Sequence, residues 1–297
     1  MDTLRSILVG IDFTSACKAA LAEAVRISKW NQAPICAVHV IESLVLSDLE
    51  EAVGGHDPNF RETVLADTRA AWREFAGGIS GAANVPIDLR IAQPAEGIAA
   101  AIAEYKADLV VMGVRGTSEG EGAGTLATHA ARYASCQTLL VQPGHAGGFR
   151  RIVVAVDFSE PSRHALETAM RVAVQDGAEV HAIHIYNPPW FRLHYRSSTP
   201  QATSDYRKQF LDGLGRRLEQ FCDPGDPEVQ WVAPKFHVID HRSHGEGIVE
   251  FALAHQADLV VLGTRGHTNL RDLLLGSTAE RVLRSAPCSI LAVPPNC

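Results

Sequence analysis

One segment is written twice in this chain: Ile7-Leu-Val-Gly-Ile-Asp12-Phe-Thr14 returns as Ile152-Val-Val-Ala-Val-Asp157-Phe-Ser159. Further along, Ala107-Asp-Leu-Val-Val-Met-Gly113-Val-Arg-Gly116 returns as Ala257-Asp-Leu-Val-Val-Leu-Gly263-Thr-Arg-Gly266, and Cys136-Gln-Thr-Leu-Leu-Val141 aligns with Cys288-Ser-Ile-Leu-Ala-Val293. Chain order is kept throughout. A repeat this long means duplicated domains, not a solenoid of short units. The length of 297 residues and a hydrophobic content of 46% supply material for two buried cores. The expected domains are 1–145 and 150–297, with Pro143-Gly-His-Ala-Gly-Gly148 as the linker.

Within each copy, short β-branched runs such as Ile7–Ile11 and Leu109–Met112 alternate with Ala-rich helical stretches such as Ser15–Lys29. Strands are expected near 6–12, 34–41, 86–91, 108–113 and 137–142, then near 151–157, 179–186, 232–239, 258–263 and 289–293. Strands so apolar must be buried on both faces. The expected class is therefore α/β: two tandem doubly wound domains, each a five-stranded parallel sheet flanked by helices.

A formal charge of -7 disfavours nucleic acid and anionic membranes, which require basic surface. The charge is uneven. Residues 1–149 hold 11 Lys+Arg against 17 Asp+Glu, and 150–297 hold 16 against 17, so an anionic ligand is expected to prefer the second half. No apolar run is long enough to span a bilayer, and Met1-Asp-Thr-Leu-Arg lacks the pattern of a signal peptide, so a cytoplasmic location is expected. The six cysteines include no CxxC and read as reduced packing residues.

Ligands of an open parallel sheet bind outside the carboxyl ends of its strands. In the second copy those positions hold Asp157 and Ser159, Ile185 to Asn187, Asp240 to His244, and the loop that begins at Gly263. That loop reads Gly263-Thr-Arg265-Gly266-His267-Thr-Asn-Leu-Arg271-Asp-Leu-Leu-Leu-Gly276-Ser277-Thr278, with helical periodicity resuming after Ser277. Glycines let backbone amides approach an anion, and Ser277 as an N-cap would set a hydroxyl beside a positive helix end. The chemistry suits a di- or triphosphate.

The Gly263-x2-Gly266-x9-Gly276-Ser277 spacing, behind strands ending in Val153-Val-Ala-Val-Asp157-Phe-Ser159 and Asp258-Leu-Val-Val-Leu262, resembles the ATP-binding branch of the universal stress proteins. The resemblance covers the chain twice, and it implies an adenine nucleotide alpha hydrolase-like fold. It further implies that Asp157 lies at the nucleoside end of a pocket, that the backbone near Ile185 meets adenine, and that Gly263, Gly266, Gly276, Ser277 and Thr278 hold the phosphates. Arg265, His267 and Arg271 would add charge to the loop. The implied cofactor is ATP, with Mg2+ left open. Each residue also has a plainer reading: Asp157 as a cap of the next helix, and the glycines as turn and packing residues.

In the first copy Asp12 and Val40 match the nucleoside side, and Gly113, Gly116, Gly124 and Thr125 match the phosphate side. Only residues 117–123 separate Gly116 from Gly124, two fewer than in the second copy, and the loop carries Glu119 and Glu121 and lacks counterparts of Arg271 and Arg281. A smaller ligand, weaker binding or a structural role all remain open for this copy.

Other signals are weaker. Gly116-Thr-Ser118-Glu-Gly120 matches a hydrolase elbow, but its Gly-rich context does not turn directly from strand to helix. No G-x4-G-K-[ST] loop occurs, so hydrolysis is expected to be slow at most. His237, His241 and His244 invite a metal reading, although solvent-facing or pocket-lining histidines fit that spacing better. His39 and His184, at matching places in the second strands, are expected to be buried, hydrogen-bonded and not catalytic. The aromatic and basic segment 188–196 reads as a lid, with the acidic stretch 47–57 as its counterpart. The resemblance also implies a pseudo-dimer of the two domains through their last strands, with a further homo-dimer open. The expected function is a nucleotide-dependent stress-response regulator acting on a protein partner. The rivals are a slow ATPase or hydrolase and a chaperone that binds a metal or another small ligand.

Overall fold

The computed structural model describes residues 4–52, 59–115, 122–187, 204–226, 229–265 and 275–295. The chain forms two compact units that divide between Gly147 and Gly148.

The first unit runs β1 (Ile7–Gly10), α1 (Ser15–Asn31), β2 (Ile35–Glu42), α2 (Ser43–Ala52), α3 (Phe60–Gly77), β3 (Ile87–Ala92), α4 (Pro94–Glu104), β4 (Leu109–Gly113), α5 (Thr125–Tyr133) and β5 (Gln137–Val141). Its strands lie parallel in the order β3-β2-β1-β4-β5. The second unit runs β6 (Arg151–Ala155), α6 (Glu160–Asp176), β7 (Glu179–Tyr186), α7 (Ser204–Phe221), β8 (Lys235–Asp240), α8 (His244–Ala254), β9 (Leu259–Gly263), α9 (Ser277–Ser285) and β10 (Ser289–Val293). Its parallel order is β8-β7-β6-β9-β10.

The central strands are continuous apolar runs because both of their faces are covered: Ile7, Val9 and Val111 in one unit, and Ile152, Val153, Val154, Val260 and Val261 in the other, have no exposed surface. The aspartate of the repeated Ala-Asp-Leu-Val-Val segment secures the opposite end of the sheet. Asp108 accepts the backbone N–H of Arg5 and Ser6, and Asp258 accepts those of Arg150 and Arg151, all within 3.2 Å.

Nine of the ten expected strands lie within two residues of their observed bounds at the amino end. The exception is β8, expected from 232 and observed from Lys235. Pro234 precedes it and has no N–H to give to the ladder. Part of the acidic stretch 47–57 is helical, since α2 extends to Ala52.

The expected linker is held at both of its ends, each within its own unit. His145 Nε2 lies 3.4 Å from Glu23 Oε2, and the Glu23 carboxylate, 2% exposed, also pairs with Arg26 at 2.6 Å. Phe149 donates its N–H to Asp176 Oδ2 at 2.7 Å.

Candidate functional site

In each unit the strand order reverses between the first and fourth strands, which opens a crevice beyond their carboxyl ends. Both β1 and β6 lead into a tight turn. Phe13 (φ 64°) and Phe158 (φ 65°) sit in the left-handed region, uncommon for a bulky residue, and reverse the chain so that the preceding aspartate faces the next helix. Asp157 Oδ1 accepts the Ser159 N–H at 3.0 Å and also the Ser159 hydroxyl. Ser159 Oγ in turn accepts the Ser162 N–H at 3.3 Å as the N-cap of α6. Ser159 thus caps the helix, and Asp157 fixes Ser159. Asp12 does the same for Thr14, the cap of α1, and its Oδ1 also accepts the Cys17 thiol at 2.8 Å.

Behind each turn stands a histidine from the second strand. His39 Nδ1 bonds the Ile11 carbonyl and His184 Nδ1 the Val156 carbonyl, both at 2.8 Å, while the rings pack on Phe13 and Phe158. Burial pushes the His184 pKa down. Both histidines are half-buried, where full burial was expected, because each sits at the crevice end of its strand, and both brace the turn.

On the other side of the crevice, Gly276 N donates to the Thr264 carbonyl at 2.9 Å and ties the start of α9 to the end of β9; Gly124 N does this with Val114 at 2.8 Å. Ser277 does not cap α9, contrary to expectation. The cap is Gly276, whose backbone is extended (φ −60°, ψ 143°) while its carbonyl accepts the first helical bond from Glu280. Ser277 is the first helical residue and is exposed, with Thr278 half-buried beside it. No side chain caps this helix, and the N–H groups of Ser277, Thr278 and Ala279 have no acceptor among the described residues.

The two described glycines of the second-copy loop differ in what the fold asks of them. A Cβ on Gly263 would lie 3.2 Å from the backbone of Pro161, and one on Gly113 would lie 2.8 Å from Ala16 Cβ, so close packing of a helix start against the strand end requires glycine at both. A Cβ on Gly276 would meet nothing nearer than 3.4 Å. Its φ and ψ suit any residue, so the fold does not require glycine there.

In the first unit Asp12, Val40, Gly113, Gly124 and Thr125 come together around a cavity of about 400 Å³, joined by Glu42. Gly116 lies outside the described residues, as do Glu119, Glu121 and the Ser118 elbow. In the second unit Gly266, His267 and Arg271 lie outside them, and so does the 188–196 segment. Ile185 is buried on β7, and Arg265 is exposed with no partner among the described residues. Arg115, its first-copy match, donates Nε–H to the Gly122 carbonyl at 2.7 Å. Arg281 pairs with Glu246 of α8 at 2.9 Å.

The three histidines of the metal reading separate. His237 Nε2 lies 3.0 Å from His181 Nδ1, His241 Nδ1 accepts the Ser243 N–H beside the cap of α8, and His244 opens that helix. Among the described residues no group of three His, Cys, Asp or Glu is arranged to hold a metal ion.

Two residues that shape the crevice are absent from the sequence-based expectations. Gly97 and Gly247, in the first turns of α4 and α8, let those helices close on the second strand. A Cβ on Gly97 would lie 2.8 Å from Val40, and one on Gly247 would lie 3.3 Å from Ile185. The repeated tripeptides Glu96-Gly97-Ile98 and Glu246-Gly247-Ile248 carried that signal.

The family model described as the Universal stress protein family matches residues 3–142 and again 148–294. A universal stress protein of Methanocaldococcus jannaschii is 32% identical over 151 residues, covering 49% of this chain and 82% of that protein. A universal stress protein of Mycolicibacterium smegmatis is 24% identical over 325 residues, covering 99% of this chain and 98% of its own. The crystal structure of a universal stress protein from Archaeoglobus fulgidus superposes with a TM-score of 0.65 at 21% identity, covering 98% of each chain; this likeness is one of fold.

Proposed function

Because the chain belongs to the universal stress protein family, matched twice in tandem, we propose that its second half binds an adenine nucleotide, ATP, and that occupancy changes the surface offered to a protein partner. Gly276 carries this reading. The fold leaves the position free for a side chain and none is there, at the start of a helix whose first-turn N–H groups have no acceptor among the described residues. Such a helix start favours phosphate oxygens. Arg265 supplies a cation nearby in sequence, and Asp157, fixed by Ser159, serves the nucleoside end with Ile185 as the apolar wall. Gly263 keeps α6 close to the strand end, while Gly266 and His267 complete the loop. The hydroxyls of Ser277 and Thr278 suit phosphate oxygens and a phosphate-borne Mg2+, which takes oxygen ligands. Among the described residues no helix is long and apolar enough to cross a membrane, and we place the protein in the cytoplasm.

Calorimetric titration of ATP into the wild type, Gly276→Ala and Gly276→Asp tests the site. Gly276→Asp is expected to weaken ATP at least tenfold, about 1.4 kcal/mol, with its melting temperature unchanged. Gly276→Ala should fall between it and the wild type. Equal affinities in all three chains would remove the assignment.

A further inference from the structure

The first-unit cavity has the wrong charge for a phosphate. Its carboxylates are Asp12 and Glu42, and among the described residues no lysine or arginine lines it. The imidazole in its wall, His39, spends Nδ1 on the Ile11 carbonyl. Arg115 is tied to the Gly122 carbonyl, whereas its match Arg265 has no partner among the described residues. Glu42 is half-buried at the end of β2 and has no ion pair or hydrogen bond among the described residues. The matching residue of the second unit is the neutral Asn187, whose buried Oδ1 has no hydrogen-bond partner among the described residues. One substitution between the copies therefore puts a negative charge where the other copy has an amide.

Asp12 adds a second charge of the same sign, with an acceptor to spare. The Thr14 N–H (3.0 Å), the Thr14 hydroxyl (2.6 Å) and the Cys17 thiol (2.8 Å) all end on Oδ1, which leaves Oδ2 for a ligand. Burial, reinforced by Asp12, pushes the Cys17 pKa up to about 12, so the thiol stays a protonated donor. A volume of about 400 Å³ falls within the usual range of small-molecule sites.

We propose that this cavity is a selective site for an uncharged nucleoside, whose ribose hydroxyls donate to Asp12, and that Glu42 excludes its phosphorylated forms. The choice of adenosine as probe rests on the adenine reading of the second unit; the selection against phosphate rests on the first unit alone.

The test uses the full chain carrying Gly276→Asp, titrated calorimetrically with adenosine and with ATP. Adenosine should bind at one site per chain, with ATP at least tenfold weaker. Adding Asp12→Asn should weaken adenosine about tenfold, and adding Glu42→Gln should narrow the gap between adenosine and ATP at least threefold while the melting temperature holds. ATP binding as tightly as adenosine, or no adenosine binding in the Gly276→Asp chain, overturns the proposal. If the wild type takes no ATP while the Gly276→Asp chain still takes adenosine in an Asp12-dependent way, the reading of the second unit falls and this one stands. If the wild type takes ATP and the Gly276→Asp chain takes no adenosine, the reverse holds.

Discussion

Gly263 and Gly276 belong to one motif and differ in what holds them. Packing decides the first: a methyl at Gly263 presses on the Pro161 backbone at 3.2 Å, and one at Gly113 presses on Ala16 at 2.8 Å. Neither neighbour is the end of a flexible side chain. Gly263→Ala and Gly113→Ala are therefore expected to destabilise by about 1–3 kcal/mol, the ordinary range for overpacking. Gly276→Ala should stay within about 0.5 kcal/mol. Urea unfolding of the three variants measures this, and a Gly263→Ala chain as stable as the wild type would sink the packing account. A sequence cannot separate the two glycines, because the contact that matters at Gly263 comes from a residue about a hundred positions earlier. The same holds for Gly97 and Gly247, whose Glu-Gly-Ile setting repeats in plain view but acquires its meaning only against Val40 and Ile185.

At the scale of elements, strand existence and type were legible because a buried parallel strand must be an unbroken apolar run. The one late start, β8, follows from the missing N–H of Pro234. Pairings between strands were not legible. His181 on β7 and His237 on β8 meet only because Ile183 stands opposite His237 in the ladder, and His255 just past α8 closes on both, with ring centroids 5.5 and 5.8 Å away. Burial lowers the pKa of His181 and His237 from 6.5, against the pull of Glu179, while His255 and Lys235 push the same way as burial. A histidine lowered in the folded state leaves the unfolded chain binding more protons. Stability is then full above about 6.5 and falls as pH drops through the window below it. The matching positions of the first unit hold Cys36, Asp88 and Tyr105, so this loss belongs to the second unit. Urea midpoints at pH 7.5 and 5.5 should fall further for the wild type than for His237→Asn; equal shifts would show that the pair does not set the slope.

Across the whole molecule, duplication was the most legible property and its divergence the most informative. Both copies keep the turn at Phe13 and Phe158, the bracing histidine, and the link from helix start to strand end at Gly124 and Gly276. They part in charge, with 11 Lys+Arg against 17 Asp+Glu in residues 1–149 and 16 against 17 in 150–297. The difference is local as well as global, since Glu42 replaces an amide at the cavity itself. A ligand that binds only the folded state stabilises it by RT ln(1 + [L]/Kd), about 2.7 kcal/mol at a hundredfold excess over Kd. Each unit has its own core, so that stabilisation should appear in the unit that holds the ligand. Hydrogen exchange resolved by peptide tests this directly. ATP is expected to slow exchange in peptides from β6, β9 and α9 and to leave those from β1, β4 and α5 unchanged, while adenosine slows those from β1, β4 and α5. Protection by ATP confined to the first unit would reverse the assignment of the two sites, because the unit with two carboxylates and no lining cation among its described residues would then be the one that holds the phosphates.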